Sequence, residues 1–236
     1  KKQSIVNAGI RFVFSAEQPD GSFSESEFYY ENGLTDYIRE LAGEDTLTSP
    51  VLWKLETAGR DREDKPEYRL RAEVAFCASN HVKAIEYYHN SSFLEHGGSP
   101  DRAVRTAFVY AVDRYLKNAG KYNKNESKIT FGDVEECLIV VTNSFSTETS
   151  YANQTKKAIT NTFIAEAMTA FLKHQLEVFF AENPADADRF ATQVLVNKRS
   201  RERAESTRLD LKKKLGSSAD SINHIDKFVN CRSKDP

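Results

Sequence analysis

The segment Tyr68-Arg-Leu-Arg-Ala-Glu-Val-Ala-Phe76 decides the fold class, because apolar and charged residues alternate along it. This period of two predicts a strand with one buried and one solvated face, as in antiparallel sheets. We expect residues 82–88 to pair with it. Upstream, residues 9–14, 23–30 and 51–57 also have strand patterns, and Pro19-Asp20-Gly21 predicts a turn between the first two.

Helical patterns follow the strands. Apolar residues over 33–41 share one helix face, and the loop Gly97-Gly98-Ser-Pro100 leads into a second helix. A short helical turn over 130–136 precedes an apolar strand, Cys137–Thr142. Strands and helices in this order predict an α+β sandwich.

The last third of the chain is predicted to be helical. One apolar helix face runs from Ile164 to about residue 181, and Asn183-Pro184 predicts the start of another helix. This second pattern runs to about Leu215, where Gly216 should end it.

Composition is typical of a soluble globular protein, with 39% apolar and 29% charged residues among 236. No apolar run is long enough to span a membrane. The three cysteines are far apart, which favours free thiols in a reducing cytoplasm. The chain begins in a strand-like pattern, so we expect it to be cut from a longer protein.

The loop tip Asn153-Gln154-Thr155-Lys156 is the main candidate site, because it lies between the 137–142 strand and a long helix. An ammonium group beside an amide could bind an anion on a neighbouring domain. So short a motif is also compatible with an exposed polar turn.

A second candidate surface is a basic helical segment near the C-terminus. Between residues 197 and 215, eight basic residues outnumber three acidic ones, although the chain's net charge is −2. Either this is a solvated helix face with internal pairs such as Arg201–Glu205 and Asp210–Lys214, or it faces nucleic acid. The basic residues are Lys198, Arg199, Arg201, Arg203, Arg208, Lys212, Lys213 and Lys214.

Other patterns do not indicate a site. No phosphate-binding GxxxxGK[ST] loop is present, and the five histidines lack metal-ligand spacing, so we expect no metal site. Asp186 and Asp188 fall in the first turn of a helix, where carboxylates favour the helix dipole. Trp53 alternates with apolar residues and is predicted to lie in the core.

Eight segments, taken in chain order, carry a family resemblance: VNAGIRFVF, FYYENGLTDYIREL, LEHGGSPDRAVRTAF, ITFGDVEECLIVVTNSF, SYANQTKKAITNTFI, FFAENPADADRF, NKRSRERAESTRLDLKKKL and HIDKFVNCRSKDP. Together they resemble the transducer region of the ATP-binding B subunits of bacterial type IIA DNA topoisomerases, gyrase and topoisomerase IV. The resemblance implies a ribosomal-protein-S5-domain-2-like sandwich over 1–158, a long helical arm over 159–215, and a linker over 216–236 toward a TOPRIM domain.

The resemblance also implies a mechanism. Gln154 and Lys156 would contact the γ-phosphate of ATP, which is held with Mg²⁺ mainly by an upstream domain, and Lys156 would stabilise the transferring phosphoryl group. The chain alone would be inactive. Its partners would be duplex DNA along the 198–214 segment, the topoisomerase A subunit in an A2B2 assembly, and a second copy of the parent protein through the upstream ATPase domain.

Three departures from the family pattern put normal coupling in doubt. Ser99-Pro100 replaces Thr-His after the glycine pair, Glu135 replaces an arginine, and Cys137 replaces a glycine. Two alternatives therefore stay open: a stand-alone nucleic-acid-binding module that uses the basic helix without ATP, and a structural homologue that has lost coupling.

Overall fold

The computed structural model describes residues 1–44 and 46–222, and it describes side chains as far as residue 213. Strands and short helices occupy the first two thirds of this part, and two long helices the last third. In chain order the elements are α1 (Lys2–Val6), β1 (Phe12–Glu17), β2 (Phe23–Phe28), α2 (Leu34–Ala42), β3 (Val51–Gly59), β4 (Tyr68–Ala78), β5 (Ala84–His89), β6 (Ser92–Phe93), β7 (Gly97–Gly98), α3 (Ser99–Asn118), α4 (Phe131–Glu135), β8 (Leu138–Ser146), β9 (Ala158–Ile159), α5 (Thr162–Glu182) and α6 (Pro184–Ile222).

The main sheet has five strands in the order β3-β4-β8-β5-β6. Strand β4 pairs antiparallel with both β3 and β8, as its alternating pattern predicts. The expected pairing of residues 82–88 with β4 is wrong, because β5 pairs in parallel with β8 instead. Residues 138–144 of β8 are all buried and the first four are apolar. A strand that is buried on both faces is most stable in the middle of a sheet.

One face of the sheet is covered by α3, α5 and the start of α6, which together form the larger core. Phe76 of β4 lies at its centre and is fully buried. Its ring centroid lies 5.1 Å from that of Phe108, 5.5 Å from Phe179 and 5.7 Å from Phe190, so one side chain joins the sheet to all three helices. Trp53, predicted to lie in the core, packs against the same ring at 5.6 Å but is only half-buried, at the edge of this core.

The opposite face carries a smaller core beneath α1 and α2. Ile38 of α2 is fully buried against it, as are Cys77 of β4 and Ile139 of β8. The chain is therefore an α+β structure with helices on both faces of its main sheet. Residues 2–6 form a short helix where a strand-like pattern was expected.

Two peripheral features complete the architecture. Strands β1 and β2 form an antiparallel hairpin, as predicted from its turn, and Phe14 and Phe23 on it are exposed. Helix α6 continues to Ile222, so the predicted end at Gly216 is wrong. Within the described residues, no helix is both long and apolar enough to cross a membrane.

Candidate functional site

The Asn153–Lys156 loop lies between β8 and α5, and backbone hydrogen bonds close its base. The Ala152 N–H donates to the Ala158 carbonyl at 2.9 Å, and Tyr151 forms an isolated antiparallel bridge with Ile159. Beyond the loop, β9 pairs in parallel with the glycine strand β7. The loop is therefore attached to the start of α3 by backbone pairing.

The loop tip is ordered by its own hydrogen bonds. Asn153 Oδ1 accepts the Thr155 N–H at 3.2 Å and the Thr155 hydroxyl at 2.5 Å, and the Lys156 N–H donates to the Asn153 carbonyl at 3.2 Å. Asparagine stabilises turns in this way. Lys156 has φ of +56°, in the left-handed region that L-residues other than asparagine and aspartate seldom adopt.

The Gln154 and Lys156 side chains, the two predicted site residues of the loop, are both exposed. Lys156 Nζ lies 5.5 Å from the centroid of the Tyr151 ring, and it has no carboxylate partner among the described residues. The next lysine differs: Lys157 forms an ion pair with Glu95 and lowers the pKa of that carboxyl. Of the two neighbouring lysines, only Lys156 is available for an anion from outside the described chain.

Gly98 allows the loop base to approach α3. Its φ is +87°, and a Cβ at this position would lie 2.1 Å from the Ile159 carbonyl oxygen. The adjacent Ser99 hydroxyl can donate to either the Ile159 or the Asn161 carbonyl, at 3.2 and 2.7 Å. Ser99 thus ties α3 to the end of the loop, and Pro100 occupies the first turn of α3, where a missing N–H costs nothing.

Two residues at the loop base were missed by sequence reasoning. Asn161, which is 2% exposed, accepts the Ser150 N–H, and its amide donates to Asp61 in the β3–β4 connection. An asparagine before a helix was a detectable signal for Asn161, since such residues often cap helices. Asp61 lies in a polar connection far away in the sequence and carried no signal.

The Glu135 departure is accommodated locally. Lys83 Nζ lies 2.9 Å from Glu135 Oε1 and 3.0 Å from Glu136 Oε1, and both carboxylates raise the pKa of Lys83. The negative charge at residue 135 therefore has a cation beside it on the β5 side of the fold.

The basic segment is not one continuous surface. Lys198 was predicted to face DNA, but it is completely buried, with Nζ 3.1 Å from Glu126 and 3.0 Å from Glu202. A buried ammonium group needs such carboxylates, because without them desolvation would favour its neutral form. The prediction that Lys198 belongs to an exposed DNA-facing surface is therefore wrong.

Two further cations of the segment are also engaged within the chain. Arg199 forms two hydrogen bonds with Glu126, at 2.9 and 2.8 Å, and it is the main reason that the pKa of Glu126 falls to about 2. Arg201 binds Asp133 at 2.7 and 3.2 Å, in place of the expected pair with Glu205. Burial opposes ionisation of Asp133, but the Arg201 and Thr130 hydrogen bonds outweigh it and its pKa is lowered.

The remaining cations of α6 do extend into solvent. Four basic side chains are exposed and form no ion pair among the described residues: Arg203, Arg208, Lys212 and Lys213. Lys214, the eighth predicted DNA-facing residue, has a side chain outside the described part of the structure. The candidate basic surface therefore contains four described residues of the eight predicted.

The aspartate pair 186 and 188 does not form a metal site. Asp186 accepts the Ser49 N–H at 2.9 Å and pairs with Arg189, whereas Asp188 pairs with Lys121. Over residues 1–44 and 46–213, no group of three His, Cys, Asp or Glu side chains is arranged to hold a metal ion.

Comparison with known proteins defines the family of this fold. Residues 33–209 match the family model described as DNA gyrase B. The chain belongs to the DNA gyrase B family. It is 26% identical over 235 residues to the DNA gyrase B protein of Mycoplasmoides gallisepticum, covering 98% of the chain and 36% of that relative. It is 28% identical to the DNA gyrase B protein of Mycoplasma genitalium, covering 99% of the chain and 36% of that relative.

Solved structures agree at the level of the fold. The 43K ATPase domain of Thermus thermophilus gyrase B, crystallised with an aminocoumarin, superposes with a TM-score of 0.63 at 23% identity, covering 88% of this chain and 53% of that one. The topoisomerase IV ATP-binding domain of Francisella tularensis gives a TM-score of 0.64 at 18% identity, covering 85% of this chain and 51% of that one. This gyrase B family chain spans about a third of the length of the curated relatives described above.

The Gly98 contact makes a stability prediction. In Gly98→Ala the new Cβ meets the Ile159 carbonyl, so we expect the free energy of unfolding to fall by more than ~2 kcal/mol. The control is Gly120→Ala, which shares a positive φ of +62° but has no atom within 4 Å of the added Cβ. That control should cost about 1 kcal/mol. Urea unfolding checks both variants, and equal losses would contradict the role of the close approach.

The ion pairs of Glu126 with Lys198 and Arg199 predict that the stability of the fold depends on pH. Because the folded-state pKa of Glu126 lies below its ordinary value, its stabilisation is complete above about pH 5 and is lost as the pH falls toward 2. Glu126→Gln leaves Lys198 buried without this carboxylate, so the free energy of unfolding should fall by roughly 3 kcal/mol at pH 7.

The difference between wild type and Glu126→Gln should shrink between about pH 5 and pH 3, measured by urea unfolding across the pH range. Glu205→Gln, on the exposed part of α6, is the matched control and should stay within about 0.5 kcal/mol of wild type. A difference for Glu126→Gln that does not change with pH would contradict this explanation.

Proposed function

We propose that this chain is the transducer region of the ATP-binding component of a type IIA DNA topoisomerase, which joins ATP hydrolysis to DNA strand passage. The observation that carries the proposal is Lys156: it is exposed and without a carboxylate partner among the described residues, on a loop that hydrogen bonds hold at both tip and base. Membership of the DNA gyrase B family supports it. The α+β fold is compatible with the S5-domain-2-like type that the family resemblance implies.

The proposed chemistry is electrostatic stabilisation of phosphoryl transfer. The Lys156 ammonium would bind the γ-phosphate of ATP, held with Mg²⁺ by a nucleotide-binding region outside this chain, and the Gln154 amide would donate beside it. A fixed cation is worth more as charge develops on the transferring group, because its position has been established before the reaction. The interaction ends when the phosphate departs, so the loop would also report the nucleotide state.

Two features favour an active region over a degenerate homologue. Ser99 supplies a hydroxyl that ties α3 to the loop, and Lys83 lies beside the Glu135 carboxylate. The departures at residues 99 and 135 are therefore each matched by a partner within the fold. From α5 the chain continues directly into α6, so a displacement of the loop would be carried along the helical arm.

The partners follow from the same proposal. The exposed cations Arg203, Arg208, Lys212 and Lys213 would face duplex DNA, since nucleic-acid-binding surfaces need cations that are not already neutralised. The parent protein would assemble with the topoisomerase A subunit as A2B2 and dimerise through its upstream ATPase region.

The test of the ATP site is turnover by the full-length parent carrying Lys156→Met. We expect kcat to fall by a factor of about 10²–10³, the loss that follows removal of one preorganised charge contact. Lys157→Met is the matched control, because that side chain is already paired with Glu95, and its kcat should remain near wild type. Unchanged turnover in Lys156→Met would rule out the ATP role of this loop and favour the DNA-binding module that works without ATP.

The test of the DNA surface is the salt dependence of duplex binding by the full-length parent. Replacing the four exposed cations with glutamine should reduce the slope of log K against log salt by about 0.9 for each phosphate that the protein no longer neutralises. A Lys117→Gln variant serves as a control, because that side chain pairs with Asp113 on α3. An unchanged slope in the four-residue variant would exclude these residues from the DNA interface.

A further inference from the structure

The buried amide of Asn161 adds a side-chain hydrogen bond to the backbone bonds that close the base of the Asn153–Lys156 loop. Asn161 Oδ1 accepts the Ser150 N–H at 2.8 Å, and the Thr160 N–H donates to the Ser150 carbonyl at 2.8 Å. These bonds join the two ends of the segment 150–161. Whatever fixes the Asn161 side chain therefore helps to fix the base from which Lys156 projects.

Asp61 fixes that side chain from another part of the chain. Its Oδ2 accepts the Asn161 amide at 2.9 Å, and its Oδ1 accepts the Tyr68 hydroxyl at 2.9 Å. Burial, together with the hydrogen bond to Asp61, raises the pKa of Tyr68, so the hydroxyl keeps its proton and donates. The Asn161 amide also lies 3.1 Å from the Tyr68 oxygen, which completes a closed set of three side chains.

Asp61 also caps the helix that follows the loop. Its Oδ1 accepts the Phe163 N–H at 2.9 Å, near the start of α5, whereas the Asn161 side chain makes no cap hydrogen bond there. A carboxylate at a helix N-terminus satisfies a free N–H and favours the helix dipole. The β3–β4 connection thus supplies the cap that Asn161 would ordinarily provide, which leaves Asn161 available to close the loop.

We propose that Asp61 is a positioning residue that sets the place of Lys156 through Asn161 and the first turn of α5. It does not touch the anion. Its carboxylate instead holds the loop base on the β3–β4 side, while Gly98 and Ser99 hold it on the α3 side. The inference rests on the proposed function for its effect on ATP turnover, but not for its effect on the loop itself.

The first experiment measures how often the loop base opens in the 236-residue chain without nucleotide. In Asp61→Asn the new amide NH₂ group faces the NH₂ group of Asn161. Two donors cannot form a hydrogen bond, so the loop base should open more often. We expect faster hydrogen exchange at the Ser150 and Phe163 amides, and several-fold faster trypsin cleavage after Lys156. Asp64→Asn is the control, because Asp64 lies in the same connection and pairs with Arg62 at the surface.

A rescue variant separates positioning from general damage. The exchange Asp61→Asn with Asn161→Asp keeps an amide facing a carboxylate, and it leaves acceptors for both the Ser150 and Phe163 N–H groups. It should return exchange and cleavage close to the wild-type rates. Rates in Asp61→Asn equal to wild type would overturn the proposal, and so would failure of the exchanged pair to restore them while the protein stays folded.

The second experiment measures ATP turnover by the full-length parent. Asp61→Asn should lower kcat on the order of tenfold, because a misplaced catalytic group loses much of its effect, and it should add no further loss to Lys156→Met. If Lys156→Met is severely impaired while Asp61→Asn turns over normally, Asp61 does not position Lys156. If Lys156→Met itself is normal, the ATP role fails, and the exchange and cleavage rates still decide whether Asp61 holds the loop.

Discussion

The double burial of β8 is the constraint on which the rest of the structure depends. Residues 138–144 are buried on both faces, so the strand needs helices above and below it and strands on each side. Strands β4 and β5 lie on either side of β8 in the sheet, and the two helical layers cover its faces. The site depends on the same strand, because the connection from β8 to α5, residues 147–161, carries the Asn153–Lys156 loop.

The sequence predicted the parts of the fold whose signals are local. The alternation in β4, the turn at Pro19-Asp20-Gly21 and the break at Asn183-Pro184 each depend on neighbouring residues, and each was confirmed. Strand order was not local: β5 could be placed beside β4 or β8 with the same burial pattern. The end of α6 was also misjudged, since one glycine weakens a helix by only about 1 kcal/mol and need not end it.

The candidate site also combines residues that have a local sequence signal with residues that have none. The loop and its lysine were visible as a motif, but Asp61 and Asn161 are a hundred positions apart and share no pattern. Counting charges along the sequence also did not distinguish paired cations from free ones. Lys198, Arg199 and Arg201 occur in a basic run, yet each meets a carboxylate contributed by residues 126–133 or by the same helix. Spacing along one helix cannot reveal partners from another segment. Helix α6 has buried residues from Ala187 to Lys198 and is exposed from residue 203 to residue 213.

The close approach at Gly98 has a consequence for genetics. The Ile159 backbone can approach residue 98 only because glycine has no Cβ. A side-chain substitution elsewhere cannot make room for a Cβ there, because the atom it would meet belongs to the backbone. Suppressors of a damaging change at Gly98 should therefore be true revertants that restore glycine. Damage at Asp61 is of another kind, since its partners are side chains, and second-site suppressors should arise at residue 161. Selection for restored stability would thus distinguish a constraint held in the main chain from one held in exchangeable side chains.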